Sequence, residues 1–575
     1  MLSTWGVGND CCSWERVGCD DVTGRVVSLH LCSSSVTEDS VDENSYWRVY
    51  DDYPTYYYLV GDEMNSCLTE LVNLEHLDLS GNYFLGSQIP DFIGSFKQLK
   101  YLNLSGAGFT GNIPHQIGNL SNLKVLDLSS LVDDSQELMT EDMAWISGLS
   151  KLEHLDLSGV DLSRAQNLNK LLYTLHSLLE LSLSRCGLSM AYIGCNSSRE
   201  LPSIKQLDLS QNDWKNRLIG KIPKCLMNMS LSVMLLGSNR LSGVITIPLG
   251  LNPSLLWLQL NDNNLNGELP QEFGYYKHLK VLDLGENKIS GNIPDWIGEN
   301  MTYLSALRLH RNNLIGRIPH SLCKSQVLRI LDLAHNNLTG SIPRCFGELH
   351  GMTKNISYHV LKGVALEYRK TLQFVTNLDL SGNKLVGEIP ETLTALDTLV
   401  GFNLSYNHFT GGIPRNIGNM KSLNSLDPSA NKLTGTIPPS LGALNFLSHL
   451  NLSHNNLSGQ IPTGNQLQTL IDPSIYADNP YLCGAPLPNE CSPQKKPPTT
   501  TSKNKGGHAN ETKKVWFYLD IMSGFATGFW GIIGVLFFKK QWRHKLFKFC
   551  EEIRDKIYVA VAVRVLKMKR GREAS

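Results

Sequence analysis

The sequence predicts an α/β repeat solenoid, a curved array with a parallel β-sheet on its concave face, plus one transmembrane helix. Three observations lead to this fold class. A leucine-rich frame, LxxLxLxxNxLxGxIP, returns about every 24 residues over most of the chain. The LxL core of each frame alternates inward and outward side chains, as a short strand does. A later stretch, residues 515–538, is apolar over a length that spans a hydrocarbon core.

Residues 279–300 give the repeat in its clearest form, LKVLDLGENKISGNIPDWIGEN. Leu282 and Leu284 should point into the core and Asp283 out of it. Each repeat can bury its leucines only against its neighbours, so the strands must stack in parallel. The frame occurs fifteen times when repeats with another residue in place of the asparagine are included. Fifteen strands would form a sheet roughly 70 Å long, at ~4.8 Å per strand.

An asparagine at the bend of each repeat can bond backbone groups that would otherwise be buried without partners. These ladder positions are Asn82, Asn212, Asn239, Asn263, Asn287, Asn312, Asn336, Asn383, Asn407, Asn431 and Asn455. Four positions in the same register hold other residues, namely Ala107, Leu131, Val160 and Cys186. The frame with its GxIP extension resembles the plant-type extracellular leucine-rich repeat, over residues 74–462.

Both ends of the array resemble the caps of plant leucine-rich-repeat receptors. Residues 9–32 contain DCCSWERVGC and TGRVVSLHL, which are similar to the end of the amino-terminal cap. That resemblance implies a Cys12–Cys19 disulfide. Residues 465–491 resemble the carboxy-terminal cap, where we expect a bridge between Cys483 and Cys491.

The resemblance and the shifts in composition divide the chain into nine segments. They are a partial amino-terminal cap at 1–32, a loop and lead-in at 33–73, leucine-rich repeats at 74–343, an island segment at 344–374, leucine-rich repeats at 375–462, a carboxy-terminal cap at 463–491, a stalk at 492–514, the transmembrane helix at 515–538 and a cytoplasmic tail at 539–575. In similar receptors an island of this kind ends in a Lys-Gly…Glu-Tyr pattern, which Lys362-Gly363 and Glu367-Tyr368 match.

The first residues contain no signal peptide, because they lack both a basic and a long apolar region. In the resembling caps the first cysteine of the doublet bonds a cysteine further upstream, and Cys11 has none. We therefore expect a start that is truncated relative to the family; the alternative is that Cys11 is simply free.

Other cysteine pairings follow only from spacing. Cys323 and Cys345 lie about one repeat apart, so they could bridge adjacent coils. Cys186 and Cys195 could form a local bridge, as could Cys32 and Cys67 across the loop between them. The sequence leaves open the partners of Cys11, Cys32, Cys67, Cys186, Cys195 and Cys225.

The sequence favours recognition over catalysis. The formal net charge is −1, which does not point to a nucleic-acid partner. We find no phosphate-binding loop, metal-ligand spacing or nucleophile motif, and so predict neither enzyme activity nor a cofactor. The aspartates on the strands share one frame position, which we interpret as the solvated edge of a repeat.

The outward strand residues are mostly small or acidic, but the central repeats are aromatic and basic. Aromatic residues and arginine are enriched at binding hot spots. The candidate ligand-binding residues are Trp257, Gln259, Asp262, Lys280, Arg308, His310 and Arg311. The alternative is an ordinary solvated strand face.

Eleven Asn-x-Ser/Thr sequons all precede the apolar stretch, which suits an extracellular amino-terminal side and a glycoprotein. They are at Asn103, Asn119, Asn196, Asn228, Asn300, Asn337, Asn355, Asn403, Asn451, Asn456 and Asn510. We therefore expect a single-pass type I protein of the plasma membrane. Asn103, Asn403 and Asn451 should point out from strands.

Within residues 515–538, Gly524 and Gly528 form a GxxxG motif that Gly531 extends. Small residues let a second membrane helix approach closely. Similar receptors without a kinase associate with an adaptor receptor kinase through such a span. The stalk is rich in lysine, whereas family members often carry an acidic stretch there. In the tail, Tyr558 and Val561 fit an endocytic YxxΦ signal or, alternatively, one apolar helix face.

Together these features resemble kinase-lacking plant receptor-like proteins, in particular the group of the ethylene-inducing xylanase receptors. The resemblance implies a cell-surface receptor for a protein or peptide ligand that signals in defence through adaptor and co-receptor kinases. The alternatives are an enzyme-inhibiting repeat protein, a developmental receptor and a non-signalling truncated remnant.

Overall fold

One strand from each successive repeat joins a single sheet, which we call the principal sheet. The computed structural model of the chain describes residues 10–35, 56–61, 63–84, 86–130, 138–166, 174–189, 204–212, 218–247, 254–353, 376–464 and 466–491. Within these ranges the principal sheet has 17 strands. They are β1 (Val17–Cys19), β2 (Val26–His30), β3 (His76–Asp78), β4 (Tyr101–Asn103), β5 (Val125–Asp127), β6 (His154–Asp156), β7 (Glu180–Ser182), β8 (Gln206–Asp208), β9 (Val233–Leu235), β10 (Trp257–Gln259), β11 (Val281–Asp283), β12 (Ala306–Arg308), β13 (Ile330–Asp332), β14 (Asn377–Asp379), β15 (Gly401–Asn403), β16 (Ser425–Asp427) and β17 (His449–Leu450).

The strands pair in chain order, which confirms the predicted repeat solenoid with a parallel sheet. Only the first pairing of this sheet, β1 with β2 in the cap, is antiparallel. The register aligns equal frame positions, so that Leu258, Leu282 and Leu307 are neighbours across three strands. All three are fully buried in one continuous core, because the middle residue of each strand turns inward.

A second set of strands follows the ladder positions. Eight of them form a parallel sheet, comprising Ile219–Gly220, Arg240–Val244, Asn264–Gly267, Lys288–Asn292, Asn313–Arg317, Asn337–Gly340, Lys384–Glu388 and His408–Thr410. Another three, Thr434–Thr436, Asn456–Gln460 and Tyr481–Cys483, form a smaller parallel sheet that ends in the carboxy-terminal cap. Two short pairs join Ser34–Ser35 to Tyr56–Tyr57 and Gly111–Asn112 to Leu138–Met139.

The helical half of the repeat is mostly a single 3₁₀ turn. Two one-turn α-helices are present in the described ranges, α1 (Lys224–Asn228) and α2 (Trp296–Asn300). The 3₁₀ segments are Cys11–Ser13, Ser66–Glu70, Asp91–Ser95, His115–Asn119, Ala144–Gly148, Gln271–Tyr275, His320–Lys324, Arg344–Glu348, His350–Met352, Glu391–Ala395, Ile417–Asn419, Pro439–Ala443, Leu467–Thr469 and Pro473–Tyr476. Close packing between coils explains the glycine in these turns: a Cβ on Gly94 would lie 2.3 Å from the carbonyl oxygen of Gln116.

The buried asparagines form the expected ladder, as Asn287 illustrates. Its Nδ2 donates to the carbonyl oxygens of Leu260, Leu284 and Gly285 at 2.9, 3.2 and 3.1 Å. Its Oδ1 accepts the N–H of Leu265 at 3.0 Å. One side chain therefore bonds both its own coil and the coil before it. The ladder also crosses the island segment.

Across that island, Ile330 of β13 pairs with Asn377 of β14. The next ladder residue, Asn383, accepts the N–H of Leu338 at 3.0 Å and donates to the carbonyl of Leu333 at 2.9 Å. The coils that flank residues 354–375 therefore stack on each other as successive repeats do elsewhere.

Where the ladder lacks asparagine, backbone carbonyls and a thiol make the equivalent bonds. The Cys186 thiol donates to the carbonyl of Leu157 at 3.1 Å, and the N–H of Leu162 donates to the Cys186 carbonyl at 2.9 Å. At the earlier gap the N–H of Phe84 donates to the carbonyl of Ala107 at 3.0 Å. Leu131, another predicted gap, lies outside the described residues.

Three disulfides have the pairings expected from the sequence, Cys12–Cys19, Cys323–Cys345 and Cys483–Cys491. Two other suggested pairs are wrong for this structure, because Cys32, Cys67 and Cys186 are free thiols. Cys186 is buried in the ladder, where its sulfur faces a carbonyl. Cys32 follows β2, whereas Cys67 is exposed on a separate 3₁₀ turn. Cys11 is also free.

No helix within the described ranges is long and apolar enough to cross a membrane. The predicted span at 515–538, with the stalk and the tail, lies outside those ranges. The same holds for Gly524, Gly528, Gly531, Tyr558, Val561, Cys195 and the sequons at Asn196, Asn355 and Asn510.

We predict that Asn287→Ala lowers the free energy of unfolding by roughly 3 kcal/mol or more. The substitution leaves several buried backbone groups without partners, and each such group costs about 1–3 kcal/mol. Denaturant unfolding followed by circular dichroism measures the change. Lys288→Ala, at an exposed neighbouring position, is the matched control and should be near neutral. Equal stability of the two variants would contradict the ladder's role.

Candidate ligand-binding face

The first and third residues of each strand turn away from the core and form the outward face of the principal sheet. The first outward row contains Ser28, His76, Tyr101, Val125, His154, Glu180, Gln206, Val233, Trp257, Val281, Ala306, Ile330, Asn377, Gly401, Ser425 and His449. The second outward row contains His30, Asp78, Asn103, Asp127, Asp156, Ser182, Asp208, Leu235, Gln259, Asp283, Arg308, Asp332, Asp379, Asn403 and Asp427. The parallel register therefore places side chains from successive repeats side by side.

Acidic and basic side chains meet on β11 to β13 and in the bends that follow these strands. We call this group the central ion-pair cluster; it consists of Asp283, Glu286, Arg308, His310, Arg311 and Asp332. Arg308 Nη1 lies 3.5 Å from Asp283 Oδ2, and Arg311 Nη1 lies 3.2 Å from Glu286 Oε1.

His310 connects the two halves of this cluster. Its Nδ1 lies 3.1 Å from Asp332 Oδ2 and its Nε2 lies 3.7 Å from Glu286 Oε1. The hydrogen bond with Asp332 raises the pKa of His310 above its usual value, although partial burial opposes the shift. The shift favours the protonated form of His310 relative to a free imidazole.

Asp283 is the most buried member of the cluster, with 3% of the residue exposed. Burial raises the pKa of its carboxyl group, while the bond from the Gly285 N–H and the charges of Arg308 and His310 oppose that rise. Nearby cations therefore stabilise the ionised form of Asp283. The sequence-based choice of binding residues omitted Asp283, Glu286 and Asp332. A sequence signal for these pairs exists, because an acidic residue is followed one repeat later by a basic residue at the same frame position. Asp283 and Arg308 are an example.

Beside the cluster lies an apolar stripe of six outward side chains, Val233, Leu235, Trp257, Val281, Ala306 and Ile330. Each is at most 9% exposed, and they form a buried cluster separate from the core of the repeats. Trp257, one of the candidate ligand-binding residues, is therefore buried among outward apolar side chains. Its register neighbours in the first row, Val233 and Val281, are also apolar and pack with it.

The other predicted residues take different places around the cluster. Gln259 is half-buried and forms a hydrogen bond with Asp283. Lys280 is half-buried immediately before β11. Asp262 is exposed at a bend, with a positive φ of 52°. The structure thus brings Gln259, Arg308, His310 and Arg311 together and leaves Asp262 at the margin.

The aspartates of the second outward row do more than form a solvated edge. Asp127, Asp156 and Asp208 are half-buried, and burial raises the pKa of each. Asp156 Oδ1 accepts the N–H of Ser158 at 2.8 Å, which fixes the turn after the strand. Burial, together with the charge of Asp127 on the adjacent strand, raises the pKa of Asp156 to about 6.

Near the amino-terminal end, aromatic rings stack along the first row. The rings of His76 and Tyr101 are nearly parallel, and their centroids are 4.0 Å apart. The ring centroid of His30 lies 4.2 Å from that of His76. Burial and the neighbouring His30 lower the pKa of His76. This part of the face therefore differs chemically from the central ion-pair cluster.

We predict that Asp156→Ser reduces the pH dependence of stability between about pH 6 and pH 4. In this interval the native protein binds more protons at Asp156 than the unfolded chain does, so stability should rise as the pH falls, by up to roughly 3 kcal/mol. Serine already occupies this position on the next strand, as Ser182. Unfolding free energies of both proteins at pH 4, 5, 6 and 7 measure the difference; identical pH profiles would contradict the assignment.

We predict that Arg308→Ala destabilises the protein by about 2–3 kcal/mol at pH 8, and by less at pH 5. Loss of the cation leaves the Asp283 carboxylate buried without compensation, whereas protonation removes that cost at lower pH. Arg311→Ala removes an exposed pair and should cost under about 0.5 kcal/mol. Thermal unfolding at the two pH values compares the variants; a pH-independent loss would contradict the coupling.

Comparisons with known proteins agree with this architecture. A family model described as Leucine Rich Repeat matches residues 73–96, 98–120, 278–300, 327–349, 374–396, 398–420 and 446–475. The receptor-like protein EIX1 of Solanum lycopersicum is 39% identical over 196 residues, which cover 33% of this chain and 17% of that protein. Receptor-like protein 6 of Arabidopsis thaliana is 31% identical over 247 residues, covering 42% and 22%.

A crystal structure of a TDR receptor superposes with a TM-score of 0.54 and 28% identity, covering 70% of this chain and 68% of that one. The parts of the chain that match EIX1 and receptor-like protein 6 span about a fifth of the length of those two curated relatives.

Proposed function

Since this chain belongs to the plant leucine-rich-repeat receptor-like proteins, we propose that it binds a protein or peptide ligand at the cell surface and signals through associated receptor kinases in defence. The observation that carries the proposal is the central ion-pair cluster, which lies beside the apolar stripe on the outward face. A ligand that spans several strands would meet the charged side chains of the cluster there.

The chemistry of the cluster suits a ligand that carries its own charges. Arg308 and His310 are partly exposed, and their partners are carboxylates of the same face. A carboxylate of the ligand can pair with the exposed parts of these two cations while they keep their contacts with the carboxylates of the face. Arg311 is 61% exposed at its side chain, which suits a contact at the rim of the interface.

We further propose that the apolar stretch 515–538 anchors the protein as a single-pass membrane protein. Its glycine face, Gly524, Gly528 and Gly531, would pack against the membrane helix of an adaptor kinase. Ligand on the central repeats would then stabilise a co-receptor on the last four repeats. The names of the relatives as receptor-like proteins support this reading, and so does the small-residue spacing in the sequence.

We predict that replacing both Gly524 and Gly528 by leucine reduces the receptor kinase recovered with the chain at least several-fold. The added side chains would keep the partner helix at a distance. The tagged full chain would be purified from plant cells, and bound kinases quantified by mass spectrometry. Ala526→Leu places a leucine on another side of a helix and is the control for added bulk. Equal recovery from all variants would contradict the adaptor contact.

Ligand binding is tested on the same cells by applying the protein fraction secreted by a fungal culture. Increased kinase recovery with the unchanged chain, lost in an Arg308→Glu, His310→Glu variant that still reaches the surface, would support the proposal. An identical response of both proteins to the fraction would contradict binding at the central cluster.

A further inference from the structure

Three sequon asparagines occupy one position of the repeat frame on the outward face. Asn103 ends β4, Asn403 ends β15, and Asn451 directly follows β17. All three are half-buried. Other described sequons lie elsewhere: Asn119 and Asn300 are exposed at helix ends, while Asn337 and Asn456 begin strands of the second set.

The side chains of these three asparagines share one geometry. In each, Oδ1 accepts both the N–H and the hydroxyl group of the sequon serine, at 2.7–3.2 Å. That bond turns Oδ1 toward its own chain. Nδ2 therefore faces a side chain of the outward face, which it reaches at 3.1–3.4 Å.

The contacts of Nδ2 identify its direction. Asn403 Nδ2 donates to Asp379 Oδ2 of the preceding strand at 3.1 Å. Asn451 Nδ2 donates to Ser429 Oγ at 3.1 Å and to Asp427 Oδ2 of the preceding strand at 3.4 Å. Asn103 Nδ2 lies 3.3 Å from the Tyr101 hydroxyl. A glycosylated amide keeps one hydrogen, so a sugar on Nδ2 is compatible with one such bond and would stand over the outward face.

The same frame position between these ends holds no asparagine. From β5 to β14 it is occupied by Asp127, Asp156, Ser182, Asp208, Leu235, Gln259, Asp283, Arg308, Asp332 and Asp379. At ~4.8 Å per strand, these ten strands span roughly 43 Å. The central ion-pair cluster and the apolar stripe both lie within this interval.

We propose that N-glycans on Asn103, Asn403 and Asn451 confine protein ligands to β5–β14 of the outward face. The inference rests on the proposed function, because the chain must pass through the secretory pathway. The donor is an oligosaccharide linked to a lipid diphosphate. A bond forms between Nδ2 and C1 of the sugar, the bond from C1 to the diphosphate oxygen breaks, and one Nδ2 proton leaves with the lipid diphosphate.

Sugar occupancy is tested on the full chain purified from plant cells. Enzymatic removal of N-glycans in ¹⁸O water converts each occupied asparagine to labelled aspartate, which peptide mass spectrometry detects. We expect label at Asn103, Asn403 and Asn451 as well as at the exposed Asn119 and Asn300. Label at Asn119 and Asn300 alone would overturn the inference and leave the proposed function standing. Absence of label at every sequon would overturn both.

Shielding is tested by hydroxyl-radical footprinting before and after glycan removal. Labelling of Tyr101 and His449 should rise at least threefold on removal, whereas that of His310 should not change. Asp379→Asn creates the sequon Asn-Leu-Ser one strand from Asp332 and should reduce labelling of His310 at least threefold. Asp379→Gln creates no sequon and is the matched control. Unchanged labelling of Tyr101 and His449 would overturn the confinement even if both sites carry sugar.

Discussion

One asparagine amide per repeat joins the backbone of its own coil to that of the preceding coil, and the rest of the structure depends on this bond. Asn287 makes four such contacts with backbone groups of its own coil and the preceding one. Because these bonds fix the distance and register between coils, every leucine of the frame meets its equivalent in the next repeat. The core is continuous for that reason, although no single repeat could bury its own leucines.

The same register decides the electrostatics of the outward face. Strand spacing places equal frame positions next to one another, so a repeated aspartate becomes a row of carboxylates. Burial raises the pKa of carboxyl groups in this row, as at Asp127 and Asp156, and the neighbouring carboxylates add to the rise. Where a cation lies in the row or in the bend after it, as Arg308 and His310 do, it pairs with the acids of adjacent coils. Charge on this face is thus set by neighbouring repeats more than by neighbouring residues in the chain.

The repeat fold could be predicted from sequence because its causes are local and periodic. Leucine spacing fixes the inward positions, and the asparagine fixes the bend. The candidate site was less predictable. Trp257 was correctly placed outward, but its burial depends on apolar residues one repeat away on each side. Likewise, sequence spacing allowed a Cys186–Cys195 bridge, whereas the ladder holds the Cys186 sulfur against a carbonyl. Such contacts join residues that no short window of sequence contains.

Asparagine and aspartate make the same hydrogen bond at the strand end that precedes Leu-Ser. In both cases Oδ1 accepts the N–H of the serine two residues further on, as in Asn403 and Asp379. Their codons differ by one base. A single point mutation can therefore add or delete an attachment point for sugar at any strand with this frame, with little effect on folding. Evolution can therefore change which strands are accessible to a partner one repeat at a time, while the repeat fold stays the same.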